Sequence, residues 1–326
     1  MTQDPPNATA RYTFAIAVFV LLLAGFWVEV HAVRIGQTLG GHIASAFICF
    51  TLLLAPLWFF GFGIADVFRK IASPAARVLL PSALALPYLV FSIPRQEFQW
   101  GYAAGLVAIP VAAAAVLEFS KLGQKLAWQD VLVLLSLALI LEGRMLAAAW
   151  PYPGLGSLPK LYLADVAIYV YLVNRRLEGV GYSFFPSFSA YAIGLREWMF
   201  FAPIGIGLGL ALHFIGFHPR VHGALDVAGA LLVTFLLTAV PEELFFRGIL
   251  QNLLEPLLGR GRALFLASAL FGLSHFHKGA AFNWRYVLLA FLAGLFYGRA
   301  WRSRRQLLAS STTHTLVDVV WSLWFR

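Results

Sequence analysis

The chain has 326 residues, of which 60% are hydrophobic and only 12% charged. Soluble domains carry about 25% charged residues and stop enlarging one core near roughly 250–300 residues. A water-soluble fold is therefore excluded, and a mean hydropathy of +0.79 agrees. Cys49 is the one cysteine, which rules out an internal disulfide framework and a thiolate metal cluster. The net charge of +9 is scattered in short clusters between apolar runs, without the basic stripe and aromatic platform of a nucleic-acid binder.

A helix needs about 20 apolar residues to cross a bilayer. In chain order the sequence predicts spans over 12–33, 43–65, 77–94, 101–118, 128–149, 160–174, 198–217, 225–257, 262–277, 286–302 and 306–325, eleven in all. The expected fold is all-α, a polytopic integral membrane helix bundle. The first segment is too long, and lacks the cleavage signature, for a removable signal peptide. The 160–174 segment is the shortest and contains Asp165. No repeat at a fixed period appears.

Lysine and arginine collect on the cytoplasmic side of membrane proteins. With the N-terminus inside, 15 of the 24 basic residues, among them Arg11, Lys121 and Arg302, fall on inside segments. Seven, including Arg34, Lys278 and Arg326, fall outside, and Arg144 and Arg247 lie within spans. The expectation is an N-in, C-out, multi-pass protein of the plasma (inner) membrane.

A charged side chain at mid-membrane costs about 2.5–3.5 kcal/mol, so each is a functional hypothesis by default. The densest group is Pro241-Glu242-Glu243-Leu244-Phe245-Phe246-Arg247, after the apolar run 227–240. Glu243 and Arg247 are spaced i,i+4 and can pair on one helix face. Glu242 points about 100° away and has no such partner in its own segment. A paired carboxylate stays ionised, whereas one without a cation can take up a proton near neutral pH, as a general base must. Glu242 thus reads as the working carboxylate, with Glu243 and Arg247 supporting it. Proline followed by two acids is also an ordinary helix start, and that reading stands beside the first.

Two later segments add to the constellation. His275 lies in Phe271-Gly272-Leu273-Ser274-His275, deep in an apolar run, and His314 and Asp318 share one face of the last predicted helix. At 1.5 Å per residue, Glu242 and His275 lie about 20–24 Å from the inside ends of their helices and His314 about 12 Å. The groups can therefore meet inside the membrane.

These residues carry a resemblance. Glu-Glu-xxx-Arg at 242–247, Phe-xxx-His at 271–275 and His-xxx-Asp at 314–318, in that order, resemble the CAAX-processing and bacteriocin-processing family of intramembrane proteases, the type II CAAX endopeptidases. The resemblance covers 225–325, fainter from 195, and makes 191–326 a protease-like domain after an N-terminal membrane-spanning region, 1–190, of unread role. It implies that Glu242 and His275 activate a water while Glu243 and Arg247 shape the site. By the same resemblance, His314 and Asp318 bind the developing oxyanion or orient the groups that do. Asparagine is the better-known occupant of the last position. An ionised Asp318 would repel an oxyanion, so its expected task is to orient His314 and hold it protonated. The implied partner is a membrane-associated peptide or protein within the lipid bilayer, with no nucleic acid and no cofactor.

Other chemistries weigh less. No Gly-x-Ser-x-Gly and no His-Glu-x-x-His occurs. A divalent metal held by His275, His314 and a carboxylate is chemically reasonable, though not the expectation. A proton-coupled transporter would also use buried carboxylates and histidines, but the charged constellation has no inverted counterpart in the first two-thirds. A catalytically inactive scaffold of the same fold is the third reading. Glu29, His31, Glu142, Arg144, Asp165 and His213 read as structural. Gly205-xxx-Gly209 and Gly294-xxx-Gly298 read as close-packing sites, and Trp321 and Trp324 as anchors at the outer interface.

Overall fold

The structure, a computed structural model, describes residues 8–32, 40–120, 122–152, 154–278 and 283–325. Arg34, Lys121 and Arg326 lie outside these, as do the side chains of Glu29 and His31. Twelve helices account for most of the described residues, and no strand occurs among them beyond a single bridge between Phe217 and Phe325.

Six helices are long and apolar enough to cross a membrane: Thr9–Val28, Ile43–Phe60, Pro74–Ser92, Trp100–Glu118, Phe188–Ala211 and Ala224–Leu258. The chain is an integral membrane protein, and six of the eleven expected spans meet that measure of length and apolarity among the described residues. The others fall short for reasons that differ by segment. The helices at Trp128–Glu142 and Arg260–Leu273 are too short, with 15 and 14 residues. Trp284–Arg304 carries four arginines, and Leu307–Trp324 carries a run of hydroxyls with His314 and Asp318.

The chain divides into two compact units, 1–121 with 132–176, and 122–131 with 177–326. In the first unit, α1 (Ala8–Ala32) packs on α2 (Ile43–Phe60) through stacked Phe19 and Trp58, and the Trp58 indole donates to the Ala15 carbonyl at 2.9 Å. After short α3 (Ala65–Arg69) come α4 (Pro74–Ser92), α5 (Trp100–Glu118), α6 (Trp128–Glu142) and α7 (Leu158–Tyr169). A π-helical turn, Val170–Asn174, extends α7, and every residue of 161–174 is buried. That segment, expected as a weak span, is the centre of its unit. Its end meets a buried polar cluster in which Arg77 pairs with Glu118 and the Asn174 amide donates to Glu118 at 2.9 Å. Glu142 and Arg144, expected within a span, are exposed at the end of α6, where Arg144 turns the chain with φ 52°.

The second unit is built from α8 (Phe188–Ala211), α9 (Ala224–Leu258), α10 (Arg260–Leu273), α11 (Trp284–Arg304) and α12 (Leu307–Trp324). Segment 122–131 joins it because the Leu126 amide donates to the Leu253 carbonyl at 3.0 Å. Ser187 caps α8 by accepting from the Ala190 amide, and Asn283 caps α11 by accepting from Tyr286. The glycines of α11 behave as the sequence indicates. A Cβ at Gly298 would meet Leu264 at 2.3 Å, and one at Gly294 would meet the Arg247 guanidinium at 3.0 Å. The nearest atoms to a Cβ at Gly205 or Gly209 belong to Phe201 at 2.7 Å and Ile215 at 2.8 Å, both close by in sequence.

α9 removes the helix-start reading of the acidic motif. Pro241 is not at a helix start; it sits inside one continuous helix, Ala224–Leu258. Proline cannot donate and crowds the carbonyl four residues back. The helix widens into π turns at Phe235–Ala239 just before it and at Leu244–Gln251 just after. Such turns mark functional sites more often than ordinary helix.

Candidate active site

Glu243 and Arg247 pair within α9, Oε2 to Nε at 3.3 Å, and both side chains are wholly buried. The guanidinium also donates to the Gly294 carbonyl at 3.0 Å and lies over the rings of Phe271 at 4.5 Å and Tyr297 at 5.4 Å. The expected i,i+4 pair is therefore present, inside a cage of aromatic faces that favour a cation.

Glu243 also reaches another helix. Its Oε1 lies 2.8 Å from His314 Nδ1 on α12. The other ring nitrogen, Nε2, lies 3.4 Å from Asp318 Oδ2 and 3.8 Å from Glu242 Oε2. Carboxylates flank both nitrogens, and a carboxylate can only accept, so the form of His314 that satisfies both sides is the imidazolium. The contact to Glu243 is a full hydrogen bond. The two at Nε2 exceed the usual 2.7–3.2 Å range, leaving that N–H room for a further acceptor. Tyr297 stacks on the imidazole with centroids 4.5 Å apart and planes 15° apart, and Phe271 meets it edge-on.

His275 completes the group from α10, although not as expected. It is not deep in a helix but in the turn following Leu273. Its Nδ1 is 2.9 Å from the Phe271 carbonyl. A carbonyl accepts only, so Nδ1 carries the proton and Nε2 presents its lone pair. The ring packs on Phe271 and Tyr286, with centroids 4.8 and 4.7 Å away.

An open cleft with about 710 Å³ of empty space borders these groups. His275, His314 and Asp318 form its polar wall, and aromatic and aliphatic side chains of α8, α11 and α12, with Phe271 of α10 and Phe214, Ile215 and Phe325 beyond the helix ends, form the rest. Glu242 stands behind His314 with 13% of its side chain exposed, Asp318 has 30%, and Glu243 and Arg247 have none. The six residues singled out in the sequence thus converge from two helices, α9 and α12, and one turn. Sequence reasoning missed Tyr286 and Tyr297, and it read Trp321 only as an interface anchor. Trp321 lines the cleft, tilted against Phe214 and edge-on to Tyr286. The spacing Gly294-x-x-Tyr297-Gly298 was the available signal for Tyr297, since two close-packing glycines bracket it. Among the described residues, no three His, Cys, Asp or Glu side chains are arranged to hold a metal ion.

A helical integral membrane protein with a buried carboxylate–imidazole–guanidinium cluster opening on an apolar cleft is the class defined so far. Residues 224–320 match the family described as Type II CAAX prenyl endopeptidase Rce1-like. This is the stretch that holds all six residues, and the family that their three motifs resemble. No curated protein and no solved structure matches the chain.

Proposed function

We propose that the protein is an intramembrane endopeptidase that hydrolyses a peptide bond of a membrane-associated peptide or protein with a water activated by Glu242 and His275. The observation that carries this reading is the gap between Glu242 Oε2 and His314 Nε2, 3.8 Å across and beside the cleft. In this reading a proton acceptor and a hydrogen-bond donor stand side by side, so that a water and the oxyanion lie against the pair.

In this mechanism Glu242 takes a proton from the water while the His275 Nε2 lone pair accepts the water's second hydrogen and fixes its direction. The water oxygen bonds to the carbonyl carbon, and the oxyanion formed accepts from His314 Nε2–H. A preorganised donor of this kind contributes roughly 2.7–4 kcal/mol in other hydrolases. As the C–N bond breaks, Glu242 returns the proton to the leaving amine. Asp318 and Glu243 hold the imidazolium in place, and Arg247 balances the charge of Glu243. The apolar aromatic walls suit a hydrophobic or lipid-modified substrate segment, in keeping with the prenyl endopeptidase description of the matched family.

The test is direct. Purified protein is incubated with farnesylated and unmodified CAAX peptides and a membrane-peptide library, and products are read by mass spectrometry. Cleavage at defined bonds is the expected result. No cleavage of any peptide, together with proton flux across proteoliposomes, would replace the protease by a transporter.

A further inference from the structure

A second charged group lies in the same unit, away from the cleft wall. Glu197 of α8 is 1% exposed and is gripped by two arginines. Arg196 reaches Oε1 through Nη2 at 2.7 Å and Nε at 3.2 Å, and Arg299 of α11 reaches Oε2 through Nε at 3.2 Å. One buried carboxylate thus holds two guanidinium groups side by side, with net charge +1. Both arginines are nearly half exposed, at 49% and 45% of their side chains. Arg196 Nη1 and both Nη atoms of Arg299 make no hydrogen bond among the described residues, so the clamp has N–H groups to offer.

Its surroundings point to the ligand. Arg196 shares its helix face with Met199 and Phe200, each 53% exposed, and Leu195 beside it is 44% exposed. That is a surface suited to acyl chains. Arg299 lies over the Phe296 ring at 5.2 Å, and Phe296 packs on Phe201, closing the α8–α11 seam beneath it. Arg299 is five residues before the end of α11, about 8 Å inward along the axis, within reach of the bilayer interface for a snorkelling arginine. The same end carries Arg260 and Arg262 at the start of α10 and Arg302 and Arg304 in the last turn of α11. The nearby carboxylate Glu255 is already paired with Arg305 at 2.6 Å. Basic pockets between helices near one membrane face are the usual form of an anionic headgroup site.

We propose that the Arg196–Glu197–Arg299 clamp binds the phosphate of an anionic membrane lipid, whose acyl chain lies along Leu195, Met199 and Phe200. The buried glutamate keeps the two cations together so that both address one phosphate, a geometry to which guanidinium is suited.

The experiment uses the full chain in detergent and follows lipid retention by native mass spectrometry and thermal unfolding by fluorescence. The probes are phosphatidylglycerol, phosphatidylcholine and inorganic phosphate. Phosphatidylglycerol is expected to be retained and to raise the melting temperature, and the other two are not. Arg196→Gln/Arg299→Gln should weaken retention about 25-fold, from about fivefold for each arginine near an anionic surface. Arg196→Gln/Glu197→Gln/Arg299→Gln, which removes the buried charge as well, should do the same in a protein that melts like the wild type. Arg302→Gln/Arg304→Gln should weaken retention clearly less than the clamp variant, since those residues add only the general attraction of a basic face and do not hold the phosphate. Equal retention of phosphatidylcholine, an equal effect of inorganic phosphate, or retention lost with Arg302 and Arg304 but kept without the clamp would each overturn the proposal.

Discussion

Replacing Arg247 by alanine tests whether the innermost ion pair supports the fold or serves the chemistry. Glu243 and Arg247 are 3.3 Å apart with neither exposed, and at an effective dielectric of 20 their attraction is about 5 kcal/mol. Removing one partner of such a pair costs about 3–5 kcal/mol because the remaining charge stays buried. Here Glu243 keeps a second partner, His314 Nδ1 at 2.8 Å, so the loss belongs at the lower end, about 3 kcal/mol. The double variant Glu243→Gln/Arg247→Met removes both charges and should recover more than half of that loss. Unfolding of the purified proteins in detergent, beside turnover on one cleaved peptide, reads both effects. If Arg247→Ala unfolds like the wild type while only turnover falls, the arginine meets substrate and the supporting role is wrong.

Further outcomes follow from the same geometry. Asp318→Asn keeps a hydrogen-bonding group 3.4 Å from His314 Nε2 and should retain activity within about tenfold, whereas Asp318→Leu should lose about a hundredfold or more, the scale of one oxyanion donor; equal rates in all three proteins would remove position 318 from the site. Chelation by EDTA should leave turnover unchanged, because a carboxylate and an imidazole suffice to activate the water. Loss restored by zinc would make His275, His314 and a carboxylate metal ligands. Orientation is checked by cysteine labelling after Cys49→Ser: a cysteine beside Arg302 should react from the cytoplasm and one beside Lys278 from outside, and reaction of both from one face would refute the lysine and arginine asymmetry.

The six candidate residues were legible because lipid makes charge expensive, so each of them stood out against an apolar background. The Glu243–Arg247 pair was legible too, since both ends lie on one helix at a spacing that fixes their direction. What lay between helices was not. Nothing in the sequence joins Glu243 to His314, 71 residues apart, and their 2.8 Å contact arises only from how α9 and α12 pack. The π turns around Pro241 left no mark beyond the proline, which reads equally well as a helix start. Five of the eleven expected spans fall below the measure of length and apolarity for a related reason. Hydropathy cannot distinguish an apolar helix facing lipid from one buried in protein, and 161–174 is buried throughout. His275 was misplaced because apolar residues run past the point where α10 ends at Leu273. Tyr286 and Tyr297 were hidden among 29 phenylalanines, 11 tyrosines and 10 tryptophans, where no aromatic residue stands out by type.

The central claim is that Glu242 is the base that activates water. Its most direct test is the single-turnover rate of Glu242→Gln on one cleaved peptide, with Glu243→Gln and the wild type in parallel and melting temperatures recorded for all three. Glutamine keeps the shape and removes the proton acceptor, so Glu242→Gln should fold like the wild type and lose at least about a hundredfold in rate, the lower bound for a general base. A Glu242→Gln protein that cleaves within about tenfold of the wild-type rate would contradict the account, because the water would then be activated by another group.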